Sequence, residues 1–338
     1  MRHLLTSALC LLLVALSSCN HQELCYDHPP HAHRYHIRVL ADYSLEWEEM
    51  YTGTDWKKDW PSHYLPYESF LPSKPMGLRV VNTSAAGNSD IHNLPADGGT
   101  ITLYDGRNDL LFYNNDTEYI LFSRNDNGAT TRATTRSRTR STYLGSKYAN
   151  EGEETVNAPD MLFANYIEGY VPEKLVTPAD VKVTLHPLVF TYKIRYEFES
   201  GLEYVSLVRG ALTGMARSVL MNSGYTSSEA ATILYDCEKT DFGARAVVKS
   251  FGVPDFPNDN YGTRATNKYS LNLEVMLRNG NMLSFDFDIT EQMKSQPHGG
   301  VIVVKGIVIK KEDGMAGTGG FDVDVKDWGE YEDIEIPL

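Results

Sequence analysis

Strict alternation of apolar and polar residues marks this chain. Tyr192-Lys193-Ile194-Arg195-Tyr196-Glu197-Phe198-Glu199 alternates over eight residues. A period of two sends successive side chains to opposite faces, so the segment predicts a strand with one buried and one wet face. Residues 269–277, 285–289 and 321–325 repeat the pattern. Residues 301–304 and 307–309 are near-continuous apolar runs and predict a central strand, covered on both faces. Thr290 can cap a short helix running to Gln296, which Pro297 ends. Nearer the start, His36-Ile37-Arg38-Val39 alternates and opens the first strand. Runs at 77–81, 99–104, 110–113 and 119–122 follow, separated by turn signals at Asp97-Gly98-Gly99, Asp105-Gly106 and Asn114-Asn115-Asp116. Short strands at close spacing with such turns predict antiparallel sandwiches.

Two stretches break the pattern. Between 43 and 70, Tyr43, Trp47, Tyr51, Trp56, Trp60, Tyr64, Tyr67 and Phe70 sit among charged residues and prolines with neither period. This reads as an insertion or long loop, with a helical turn at 44–51. The second stretch, 128–150, is low in complexity. Its core, residues 130–140, holds Arg132, Arg136, Arg138 and Arg140 and no acid. Such a composition buries no core by the usual reckoning and predicts an exposed loop or linker.

Length and charge narrow the picture further. The 338 residues exceed one typical core and suggest two domains. A formal net charge of -14 repels nucleic acid and anionic lipid, which argues against an electrostatic nucleic-acid binder. Twenty-one Tyr, with many Thr, Val and Ile, favour strands.

The N-terminus carries an address. Arg2 and His3 precede an apolar run from Leu4 to Ala15, then Leu16-Ser17-Ser18-Cys19. A basic start, a short apolar core and small residues are the parts of a secretory signal. A Cys at the cut makes it resemble a bacterial lipoprotein signal, with Cys19 as the lipidation site. The apolar run is too short to remain as a spanning helix, and several acyl chains on one residue suffice for stable anchoring. Residues 1–18 are therefore expected as signal peptide and 19–33 as a polar, His- and Pro-rich tether. Of the four cysteines, Cys10 lies in the signal and Cys19 takes the lipid. Cys25 and Cys237 remain, either as a disulfide pair or as two free thiols.

Several stretches resemble one family as a set. They are Glu23-Leu24-Cys25-Tyr26-Asp27-His28-Pro29, residues 110–118 (LLFYNNDTE), residues 210–216 (GALTGMA), Thr290-Glu291-Gln292-Met293, and the tail from Trp328 to Leu338. Together they resemble a group of fimbrillin-like lipoproteins of Bacteroidales. The resemblance implies two tandem transthyretin-like β-sandwich domains, assigned to 34–176 and 177–338. It also implies a surface role in fimbria-like assemblies as anchor, stalk or tip. In such proteins an open sheet edge accepts a strand from a neighbour, whose backbone completes the ladder while alternate side chains fill pockets. Stalk and tip subunits lose their leading segment after an Arg, whereas anchors keep their lipid.

The candidate sites are few. Trp47, Trp56 and Trp60 offer flat faces for stacking sugar rings. Arg132, Arg136, Arg138 and Arg140 suit a trypsin-like protease. His21, His28, His31, His33 and His36 cluster in the tether, but an extended polar segment lacks the fixed geometry of a structural metal site. Asp322 and Asp324 fall on the wet face of one strand rather than around one point, unlike a calcium loop. No G-x-S-x-G, H-E-x-x-H or P-loop occurs. The expectation is an all-β, non-catalytic, outer-membrane lipoprotein without metal or cofactor. Its expected partners are the membrane, through Cys19, together with other fimbrial subunits or a surface protein or glycan. The alternative is a glycan- or protein-binding lipoprotein that never polymerises.

Overall fold

The computed structural model describes residues 34–44, 75–123, 128–148, 152–173, 175, 177–256, 268–294, 296–315 and 332–334. Twenty-one strands, two short α-helices and two 3-10 turns (Gly128–Thr130 and Leu202–Tyr204) make up the described elements. The first strands are β1 (Arg34–Tyr43), β2 (Gly77–Ser84), β3 (Ser89–Pro95), β4 (Gly98–Tyr104), β5 (Asn108–Asn114) and β6 (Ile120–Phe122). Then come β7 (Arg132–Thr135), β8 (Ser137–Thr139), β9 (Glu154–Val156), β10 (Phe163–Tyr170) and β11 (Ala179–Pro187). The second half holds β12 (Phe190–Ser200), β13 (Val205–Ala216), β14 (Ser218–Leu220), β15 (Ala230–Asp236), β16 (Glu238–Lys239) and β17 (Gly243–Ser250). It continues with β18 (Ser270–Leu277), β19 (Met282–Asp288), α1 (Thr290–Met293), β20 (Gly300–Val308), α2 (Lys311–Met315) and β21 (Glu332–Ile334).

The first sandwich is a seven-stranded sheet, β3-β2-β5-β10-β11-β1-β4, folded over one core. Its fold line is the short junction of β10 with β11, which pair only at Phe163 with Pro187 and Ala164 with His186. Ile37, Val39, Leu78, Val80, Ile101, Leu103, Leu110, Phe112, Phe163, Val181, Val183 and Leu185 fill the space between the two halves. The second sandwich packs β16-β17-β12-β20 against β19-β18-β13-β15-β9-β8-β21. Tyr192, Ile194 and Tyr196 of β12 point into its core, as the alternation requires. The all-β, two-sandwich class expected from the pattern is the class observed.

Three expectations are corrected. Strand β11 was expected in the second unit, but it pairs in parallel with β1 from Ile37–Ala179 to Tyr43–Leu185, so the first sandwich closes near residue 187. The 301–309 run is one strand, β20, at the edge of its described sheet rather than in the centre. The third correction is the largest. Within the stretch expected as a loop, residues 132–139 form strands: β7 pairs with β6 and β14, and β8 pairs with β9 and β21. The buried face of the stretch is Thr131, Ala133, Thr135 and Ser137. Small and hydroxylated residues fill a tight interior while reading as polar, and each hydroxyl finds a partner: Thr135 donates to the carbonyl of Asn157 at 3.1 Å and Ser137 to Glu154. The expected strand at 321–325 lies outside the described residues.

This stretch joins the halves. Strand β9 continues the second sandwich through a parallel pairing with β15. A third apolar cluster collects Val81, Leu111, Tyr113 and Ile120 from the first half with Val219, Met221 and Phe251 from the second.

Candidate functional site

For a protein expected to assemble by strand exchange, the site to inspect is the seat of the first strand. Strand β1 lies inside its sheet, between β11 in parallel and β4 in antiparallel register. Tyr35, Ile37 and Val39 are buried at 4%, 1% and 0% exposure, while His36 and Arg38 face water. The alternation that predicted this strand thus sets its two faces. Flanking it on the same buried face are Ile101 and Leu103 of β4 and Val181 and Val183 of β11. Without β1 these four side chains would line an open groove with two unpaired backbone rails.

Local chemistry holds β1 in place. Arg38 clasps Asp180 of β11 with its guanidinium, Nε to Oδ1 at 2.7 Å and Nη2 to Oδ2 at 2.8 Å. The hydrogen bonds raise the Arg38 pKa and lower that of Asp180. Both groups are exposed, so the pair contributes register more than stability. At the far end Tyr43 packs edge-on to Phe163 with ring centres 5.4 Å apart, and its hydroxyl donates to the carbonyl of Ala96 at 2.9 Å. Burial pushes its pKa up to about 12. Tyr43, expected in the aromatic insertion, is instead the last residue of β1. Gly98 allows the close approach of β4: its φ is +109°, and a Cβ there would sit 2.1 Å from the carbonyl oxygen of Val39.

Of the candidate protease residues, Arg132 and Arg138 lie on paired strands, Arg136 sits between β7 and β8, and Arg140 follows β8. Arg132 is exposed on β7, but its backbone sits in a ladder with β14. Arg136 and Arg138 are half-buried, and Arg138 lies over the Tyr119 ring. Arg140 is buried, with its side chain only 3% exposed. It stands 3.5 Å from the Glu274 carboxylate, which also takes Arg209 at 2.7 Å. Residues 140–148 form a strap over the outer face of the β13–β18 pair. Arg140 reaches Glu274 from this strap, Thr142 meets both Arg209 and Glu274, and Ser146 hydrogen-bonds Ser270 at 3.0 Å. The expectation of four exposed arginines is corrected for Arg136, Arg138 and Arg140, whereas Arg132 is exposed.

Cys237 follows β15 with a free thiol whose pKa burial raises. Cys19, Cys25, Trp47, Trp56, Trp60, the tether histidines and Asp322 and Asp324 lie outside the described residues. His36 is exposed beside Thr102. Among the described residues no group of three or more His, Cys, Asp or Glu stands together as a metal site, and no helix is long and apolar enough to cross a membrane.

Known proteins share this architecture. Residues 69–236 match a family described as a domain of unknown function, DUF5119. A crystal structure of a candidate adhesin from Bacteroides ovatus superposes with a TM-score of 0.59 at 19% identity, covering 87% of this chain and 97% of that one. That likeness establishes the shared fold. The chain is also 23% identical, over 333 residues, to a Bacteroides ovatus protein described as a candidate fimbrium anchoring subunit, Fim4B. The match spans 89% of this chain and 92% of that protein. Sequence and fold together bear out the resemblance to fimbrillin-like proteins of Bacteroidales.

Proposed function

We propose that this protein is a non-catalytic, fimbria-associated component of the cell surface that serves adhesion or anchoring, is tied to the outer membrane by lipid on Cys19, and meets other subunits by strand addition. The observation that carries the reading is the seat of β1. A subunit that polymerises through this groove must first vacate it. Here the strand is gripped from both sides, and its arginines, Arg34 and Arg38, after which a leading-segment cut would have to fall, lie within the ladder itself. A chain that keeps β1 also keeps the tether and Cys19 ahead of it. The similarity to a candidate fimbrium anchoring subunit supports the anchor role over stalk or tip.

Intact mass of the protein extracted from membranes tests this. The expected N-terminus is an acylated Cys19. A terminus just after Arg34 or Arg38 would instead make the protein a polymerising subunit. Strand addition is tested by fluorescence titration with a labelled peptide from a co-purifying subunit's terminal strand. Saturable binding supports it, and indifference to the peptides of all co-purifying subunits counts against it.

A further inference from the structure

Strand β20 puts a strand-prone sequence at an edge. Val301, Ile302, Val303 and Val304 are four β-branched residues in a row, with no charge and no proline. Such a run at a bare edge is a template on which a further strand adds. Among the described strands β20 pairs only with β12. Along a strand, alternate residues turn their N–H and C=O to the same side. The side away from β12 therefore presents the peptide groups of Val301, Val303 and Lys305.

Two of these three positions are answered without a strand. Gln292, in α1, accepts from the N–H of Val303 and donates to its carbonyl, both at 2.9 Å. Gln296 does the same for Val301: its amide nitrogen donates to that carbonyl at 2.9 Å, and its amide oxygen accepts from the N–H. A glutamine amide has the donor and the acceptor of a peptide group, so two side chains four residues apart stand in for a neighbouring strand. The two are joined, since Gln296 Nε2 also donates to the carbonyl of Gln292 at 2.9 Å. Their backbone is fixed from inside. Ile289 and Met293 are each 1% exposed in the second core, and the Tyr192 hydroxyl donates to the carbonyl of Gln296 at 2.8 Å. Gly300 makes room, because a Cβ there would stand 2.0 Å from Oε1 of Gln296. Beyond the glutamines the edge is guarded differently. Lys305 is exposed and sets a charge on the rail, and Gly306, at φ +79°, sits where the pairing with β12 shifts register. A lysine and a bulge are common edge defences, whereas the uncharged run before them relies on the two amides.

We infer that Gln292 and Gln296 are an edge guard that stops β20 from pairing with the β20 of a second copy of this chain. The occupant follows from symmetry. Two identical edges related by a two-fold axis run antiparallel, and each presents the same uncharged run to the other. The inference concerns self-association alone and stands apart from where a partner subunit adds its strand.

Amide hydrogen exchange and sedimentation velocity test this on the detergent-solubilised full chain and its Gln292→Ala/Gln296→Ala variant. In dilute solution the amides of Val301 and Val303 are expected to exchange about tenfold faster in the variant, the equivalent of one lost hydrogen bond each. At high concentration the variant is expected to dimerise and regain that protection, while the parent protein stays monomeric. Adding Val303→Pro to the variant removes an outward N–H without touching the pairing with β12, and should restore the monomer. The inference is overturned if the two amides exchange as slowly in the variant as in the parent, if the variant stays monomeric at high concentration, or if parent and variant associate alike. It is equally overturned if the variant associates and Val303→Pro does not relieve it, since unfolding or another surface would then be the cause.

Discussion

At the scale of single residues, Glu274 carries more than its size suggests. Two guanidiniums, Arg140 and Arg209, depend on this one buried carboxylate. Removing one partner of a buried ion pair leaves uncompensated charge, with a typical cost of about 3–5 kcal/mol. Glu274→Gln is expected to lower stability by that order in urea unfolding, whereas Glu274→Gln with Arg140→Met and Arg209→Met should recover much of it. His298 gives a residue-level dependence on pH. Burial between Phe190 and Phe256 lowers its pKa from 6.5 to about 4. The unfolded chain therefore binds this proton first as pH falls. Stability is full above about 6.5 and declines as pH drops toward 4, by about 3 kcal/mol across the window. In His298→Phe, which keeps the stacking, that part of the acid slope should be absent from unfolding curves measured at successive pH values.

At the scale of elements, β1 and the segment from β7 to β9 teach opposite lessons. Strand β1 was legible because its buried positions are Tyr, Ile and Val and its outward ones His and Arg, so hydrophobic period and geometry agree. The same holds for β12. Strands β7 and β8 follow the same alternation, but their inward residues are Thr, Ala and Ser, which no hydrophobic period detects. Strand β13 was hidden for another reason. The strap at 140–148 buries its outer face as well, leaving Gly210 to Ala216 without contrast. The cleft between the sandwiches was illegible because its walls come from segments far apart in the chain, and no spacing in the sequence announces them. For β1, Gly98→Ala is expected to loosen the strand, since the new methyl meets the Val39 carbonyl. Faster hydrogen exchange at the amides of 37–41 would register this, and unchanged protection would contradict it. For β7 and β8, trypsin should leave the native protein uncut at Arg136, Arg138 and Arg140. Peptides beginning at 137, 139 or 141 under native conditions would show that the ladder opens readily.

At the scale of the whole molecule, the division into halves is less complete than the sequence suggested. Segment 128–156 leaves the first sandwich to build two strands of the second, and a shared apolar cluster spans the seam. The halves are therefore expected to unfold together. Calorimetry should record one transition, and a fragment ending at residue 187 should stay soluble only if β7, β8 and β9 can do without their partners β14, β15 and β21. Two resolved transitions would mean that the seam contributes little.

The direction of β1 has a mechanical consequence. Its seven registered positions run parallel to β11, with the chain entering at Arg34. Tension applied at the N-terminus acts along the strand axis, so the hydrogen bonds to β11 and β4 carry the load side by side in shear instead of parting one at a time. Resistance to pulling is governed by the unfolding rate rather than by equilibrium stability. Drawn by its N-terminus in a force spectrometer, the molecule should yield at a markedly higher force than when β4 is peeled from its edge. The strand that fills the groove is thus also oriented to bear a load applied at its own N-terminal end.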